Sequence, residues 1–201
     1  MLLAGCFQPA APEVPDEEPR EFTWSYLDGG GADDGVETSS GDIFAVDAES
    51  LNGELYVAWA DQLDSSIRVS RYGGGSGWTP VDGGGLNNSG SIDDADMGSY
   101  FQKISLRAFN GKLYLSWVED ERGALTQIRV AAYDPTAPVP GWAYVHGGDY
   151  LNSSDTVAAG GPALTVVGNE LYAVWQEGTP SELFAAAYNG DDGSPSWASL
   201  G

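Results

Sequence analysis

The chain has 201 residues, 30 Asp and Glu against 8 Lys and Arg, a net charge of −22 and 42% hydrophobic residues. That charge repels phosphates and so excludes a nucleic-acid or anionic-membrane surface, while the apolar content excludes a disordered acidic tail. A single Cys and a single His exclude an internal disulfide framework and a Cys/His zinc site, and 28 Gly with seven Trp point to an all-β chain.

The first residues read as an address. Leu3-Ala4-Gly5-Cys6 resembles the bacterial lipobox, at which a leader is removed and the Cys is lipidated. The resemblance implies that residues 1–5 are the remnant of a signal peptide, with the leader trimmed or the start placed too late. It also implies that Cys6 carries the lipid and that the protein belongs to the bacterial envelope. Phe7 follows Cys6 where a lipoprotein kept in the inner membrane often has Asp, so the outer membrane is the expected destination. Residues 6–21 are rich in Pro and Glu and read as an extended tether. No apolar run approaches the roughly 18 residues that a spanning helix needs.

Beyond the tether the chain repeats. Trp59, Trp117 and Trp175 are 58 residues apart, each inside a Leu-Tyr-x-x-Trp phrase: Leu55 to Trp59, Leu113 to Trp117 and Leu171 to Trp175. A second phrase follows each: Ile67-Arg68-Val69, Ile128-Arg129-Val130 and Leu183-Phe184-Ala185. A third begins with Trp78, Trp142 and Trp197, and an additional copy starts at Trp24. All seven Trp thus occupy two repeat positions.

Each unit predicts four short strands. The first lies near Ile43–Ala48, Lys103–Ala108 and Pro162–Val167, and an Asn-Gly or Gly-Asn pair turns it into the Leu-Tyr-x-x-Trp strand. That second strand is apolar on both faces, so both should be covered. A two-faced, four-stranded meander recurring at this interval predicts a β-propeller blade, and a sandwich would expose one polar face per strand. The expected architecture is all-β and propeller-like. It has three four-stranded antiparallel blades at about 43–82, 103–146 and 162–201, with an extra outer strand at 22–28.

The units resemble a bacterial family of propeller-like repeats found in secreted and surface-anchored proteins. The shared phrases are Leu-Tyr-x-x-Trp-x-Asp/Glu, Ile-Arg-Val, and Trp-x-x-Val followed by Gly-Gly-x-Leu-Asn, here Gly83 to Asn87 and Gly147 to Asn152. The resemblance covers residues 22–201 and implies the fold, but no single activity.

Three blades do not close a ring, since propellers usually have about four to eight. The alternatives are a piece of a longer chain, self-association (two copies completing a six-bladed ring) or a capped monomer.

An up-and-down meander brings the second-to-third strand turns and the unit-to-unit connections to one end. Asp61, Glu119 and Glu177 follow the repeat Trp by two residues and reach that end. Asn87, Asn152 and Asp155, with the acidic run Asp93-Asp94-Ala95-Asp96, lie in the connections. These carboxylates and amides are candidates to hold Ca2+ or sugar hydroxyls, or to cap backbone N–H groups at turns, and capping is the simpler expectation. No cofactor is required by the sequence. His146 stands where the other units have Asp28 and Asp82, so a Ser-His-Asp triad is not expected. The glycine runs lack the Lys of a phosphate loop and read as turns.

The function these features favour is a surface-anchored, non-catalytic binding or scaffold module. Its partner would be an envelope protein or an extracellular glycan. A lectin-type propeller and a glycosidase are the alternatives. Catalytic acids break repeat symmetry because the chemistry happens once, and the acids here obey it.

Overall fold

The structure is a computed structural model and describes residues 36, 42–61, 66–74, 77–83, 103–120, 125–148, 150–154 and 156–201. Cys6, the tether 6–21, the strand expected at 22–28, Asn87, the run 93–96 and Asp155 lie outside the described residues.

Twelve strands form three four-stranded antiparallel sheets, and the described residues contain no α-helix. Sheet 1 holds β1 (Ile43–Leu51), β2 (Glu54–Asp61), β3 (Ser66–Tyr72) and β4 (Trp78–Pro80) in sequence order. Sheet 2 holds β5 (Ile104–Phe109), β6 (Lys112–Asp120), β7 (Thr126–Tyr133) and β8 (Trp142–Tyr144). Sheet 3 holds β9 (Ala159–Val167), β10 (Glu170–Glu177), β11 (Glu182–Tyr188) and β12 (Trp197–Ser199). The three do not close into a ring.

Turn chemistry sets the register. Asn52-Gly53 and Asn110-Gly111 all have positive φ, the pair that a tight hairpin requires, and Gly168 (φ 63°) starts the third turn. Pairing therefore runs up to the turn, with Leu51 opposite Glu54 and Phe109 opposite Lys112. This carries the first strands past the predicted ends at Ala48 and Ala108. Equivalent residues then meet equivalent partners: Trp59 faces Arg68, Trp117 faces Arg129 and Trp175 faces Phe184.

Sheet 2 is packed on both faces, and strand parity decides what each face holds. Tyr56, Ala58, Ala60, Ile67 and Val69 of sheet 1 meet Leu106, Leu113, Leu115 and Trp117 of sheet 2. On its other face Tyr114, Val118, Ile128 and Val130 meet Leu164, Leu171, Ala173 and Trp175 of sheet 3. Each buried aliphatic side chain contributes about 1.5–3 kcal/mol, so these two layers are the main hydrophobic term holding the sheets together.

Polar ties repeat with the layers. The Trp142 indole Nε1 donates to the Val81 carbonyl (3.0 Å), and Trp197 Nε1 donates to the Val145 carbonyl (2.7 Å). The Leu106 amide donates to Asp47 Oδ2 (2.9 Å), and 58 residues later the Leu164 amide donates to Ser105 Oγ (3.1 Å). Both kinds of tie link one sheet to the next.

One tie has no counterpart among the described residues. At the hairpin end of sheets 2 and 3, Asp192 accepts from Lys112 Nζ (2.6 Å), the Tyr114 hydroxyl (3.0 Å) and the Tyr188 hydroxyl (2.7 Å). Burial alone would raise the Asp192 pKa, but these three donors override it and hold it below the usual value. Burial and the same carboxylate push both tyrosines up. Stability from a depressed carboxylate is present above its unfolded pKa of about 3.9 and is lost as pH falls through the folded value. Asp192→Asn should therefore cost about 2 kcal/mol at neutral pH, the scale of hydrogen bonds to a charge. The loss should shrink toward zero in strong acid. Urea unfolding of both proteins across the acid range checks this; a constant gap would show that charge plays no part.

Candidate functional site

The ends of β2, β6 and β10 lie at the opposite end from the hairpins, and each delivers its repeat carboxylate there. Asp61, Glu119 and Glu177 are all buried. Their environments differ, although the repeat predicts likeness.

Glu177 is tied to the connection that enters sheet 3. It accepts from the Ser153 amide (2.7 Å), the Ser153 hydroxyl (2.5 Å) and Trp175 Nε1 (2.6 Å). Asn152, next in the chain, accepts from the Ile128 amide (2.9 Å) and donates to Gln127 and to the Ser154 carbonyl. Leu151 donates its own amide to the Ile128 carbonyl (3.0 Å). The Leu-Asn of the repeat phrase thus fastens the connection to the start of β7. Its Ser then fastens it to β10, so Asn152 and Glu177 each accept a main-chain N–H.

Glu119 pairs instead with Arg129 (2.5 Å), both fully buried. The guanidinium lies over Tyr150 (4.5 Å) and Tyr144 (5.2 Å). In sheet 1 the equivalent Arg68 pairs with Asp82 (3.1 Å), and Asp82 also accepts the Val69 amide. Sheet 2 has His146 where sheet 1 has Asp82. His146 packs against Tyr144 with the rings tilted by 54° (centroids 4.6 Å apart) and turns Nδ1 to the main chain of Val130 (3.2 Å from its carbonyl). A ring that takes over the backbone contact leaves Arg129 to find its carboxylate elsewhere, and Glu119 is that carboxylate. His146 is a structural replacement, with no serine-triad geometry around it among the described residues.

Between sheets 2 and 3 at this end is a cleft of ≈ 390 Å3. Its described walls carry an ammonium (Lys103), hydroxyls (Thr126, Ser181), an amide (Gln176) and the edge of Glu177. Gly160, Gly161 and Gly178 line it without side chains, and Gly161 and Gly178 have positive φ. A wall of glycine presents main-chain N–H and C=O groups to whatever enters. Sequence reasoning found Glu177 here but missed the rest. The available signal was the Ala158-Ala159-Gly160-Gly161 run at the entry to sheet 3, which breaks the repeat.

The described residues hold no cluster of three or more His, Cys, Asp or Glu suited to a metal. Nor does a described helix have the length and hydropathy to cross a membrane.

No family model and no curated protein matches the chain. Among solved structures, it is similar to a glycosyl hydrolase from Bacteroides ovatus. The TM-score is 0.52 at 16% identity, over 81% of this chain and 50% of that one. The shared feature is the fold. A xylan beta-1,4-xylosidase from Bacillus halodurans aligns over 78% of this chain and 42% of that one, at 12% identity and a TM-score of 0.37, too distant to carry an argument. The chain spans about half the length of the glycosyl hydrolase that it matches.

Proposed function

We propose that the chain is a non-catalytic binding module built from propeller-type blades, and that its ligand is a glycan held in the cleft between sheets 2 and 3. The cleft carries the reading. It offers donors and acceptors on facing walls together with exposed backbone, which suits a polyhydroxylated ligand better than an apolar or a multiply charged one. The fold it shares with a glycosyl hydrolase is compatible with a carbohydrate ligand.

Binding rather than cleavage is favoured by the carboxylates. Glycoside hydrolysis generally uses two acids flanking one bond. Among the described lining residues only Glu177 is acidic, and its oxygens already accept three hydrogen bonds from Ser153 and Trp175. The repeat Trp side chains are spent in the core, so recognition here rests on hydrogen bonds rather than on stacking.

The same proposal places the module on the bacterial envelope, held by lipid on Cys6 and spaced by the tether 6–21. The sequence of the motif supports this. The proposal calls on no cation, so chelation with EDTA should leave binding unchanged.

A glycan array followed by calorimetry tests the reading. The chain should bind a defined set of oligosaccharides, and Gln176→Ala should weaken binding about tenfold, the effect of a lost hydrogen bond whose partner stays buried. In the producing bacterium the binding should be cell-associated and released to the medium by Cys6→Ser. Failure on every glycan would sink the ligand assignment, and release of new reducing ends would replace it with hydrolysis.

A further inference from the structure

Lys103 is the cation that the chain leaves unmatched among the described residues. Arg68 pairs with Asp82, Arg71 with Glu54, Arg107 with Asp47, Lys112 with Asp192 and Arg129 with Glu119. Lys103 has no such pair among the described residues, although acidic residues outnumber basic ones 30 to 8. Its repeat counterparts, 58 residues to either side, are Ala45 and Gly161. The scaffold therefore builds its other units without a cation at this place.

The ammonium belongs to a wall of the cleft between sheets 2 and 3. Ser105, two residues on and so on the same face of the chain, accepts the Leu164 amide of sheet 3 at 3.1 Å, which turns this face toward sheet 3. The groups around Lys103 are neutral or already occupied. Thr126 adds a hydroxyl from the same sheet. On the facing wall β9 carries a bulge: Val174 pairs with Ala163 and Gln176 with Gly160, so Gly161 (φ 62°) falls out of the regular ladder. Glu177, the acid among the described lining residues, accepts from the Ser153 amide and hydroxyl and from the Trp175 indole. The described walls thus surround a positive charge with hydrogen-bonding groups and leave that charge for a ligand to match.

We propose that the cleft takes an acidic sugar, whose single carboxylate or sulfate ester pairs with Lys103 while its hydroxyls meet Thr126 and the main chain of the glycine wall. The inference rests on the glycan reading of the cleft and narrows it to a chemical class. A charge-assisted hydrogen bond is roughly twice as strong as a neutral one, so the anionic group dominates the choice among sugars. The net charge of −22 acts in the opposite direction at longer range. It disfavours a polyanion, whose further charges would run along an acidic surface. A largely neutral oligosaccharide with one acidic residue is the class that satisfies both.

A glycan array carrying neutral, uronate-bearing and sulfated oligosaccharides tests the class. Calorimetry of the full chain then compares the best acidic binder with its carboxyl-reduced or desulfated form. The acidic form should bind about tenfold more tightly or better. Lys103→Gln should bring it down to the affinity of the neutral form, and Lys103→Arg should keep most of the difference. Lys103 is exposed, so both variants should keep the wild-type melting temperature. The series that responds to Lys103→Gln tells carboxylate from sulfate. Binding confined to neutral glycans or strongest for polyanions, or an acidic preference that survives Lys103→Gln, overturns the inference and leaves the glycan reading standing. Binding to no glycan at all removes that reading and the inference with it.

Discussion

Glu119→Ala will destabilise the protein by about 3–5 kcal/mol, the usual cost of removing one partner from a buried ion pair. Arg129 then keeps its buried charge and loses the Glu119 carboxylate that its Nε bonds at 2.5 Å. Tyr144 and Tyr150 still offer their ring faces, but a ring replaces only part of what a carboxylate supplies. The informative comparison is the double variant Glu119→Leu with Arg129→Met. Two apolar side chains of similar volume carry no desolvation penalty, so most of the lost stability should return. Equilibrium unfolding in urea measures all three. A loss below about 1 kcal/mol for Glu119→Ala would match an exposed pair and contradict the burial seen here.

Trp117→Ala will cost about 3–5 kcal/mol, because a fully buried indole is replaced by a void between sheets 1 and 2. Replacement by Phe separates the ring from its N–H. The Trp117 Nε1 is buried and finds no hydrogen-bond partner among the described residues, whereas Trp175 Nε1 donates to Glu177. Trp175→Phe therefore loses a hydrogen bond to a charged group, worth about 1.5–3 kcal/mol, and Trp117→Phe loses none. Thermal denaturation of the two Phe variants should rank Trp175→Phe as the more damaging. The reverse order would mean that the Glu177 contact contributes nothing to stability.

The contrast between these two positions marks how far the sequence could be read. Indoles 58 residues apart, paired with Asn-Gly turns, located every strand of the described units, because a two-residue turn leaves only one register for strands with a period of two. The Leu-Asn phrase was readable as a cap because it occurs twice, at Leu86-Asn87 and Leu151-Asn152, ahead of the first strand of the next unit. Whatever depends on a broken repeat stayed hidden. Glu119 and Glu177 are identical in the pattern, but sheet 2 has Arg129 opposite its repeat Trp where sheet 3 has Phe184, so the two carboxylates take different partners. Asp192 lies in the connection from the third to the fourth strand, whose sequence differs from unit to unit, so no repeat phrase pointed to Lys112, Tyr114 and Tyr188. The cleft is made by glycines where the pattern would put larger residues. Symmetry in the chain encodes the scaffold, and departures from it encode the particular contacts.

The indole ties have a last consequence. Their acceptors are main-chain oxygens, and every residue type supplies one. The link at Val81 and Val145 is therefore made by the main chain and does not call on the receiving side chain. The indole link is thus common to both seams, whereas the Asp192 contacts with Lys112 and Tyr114 belong to the seam between sheets 2 and 3 alone among the described residues.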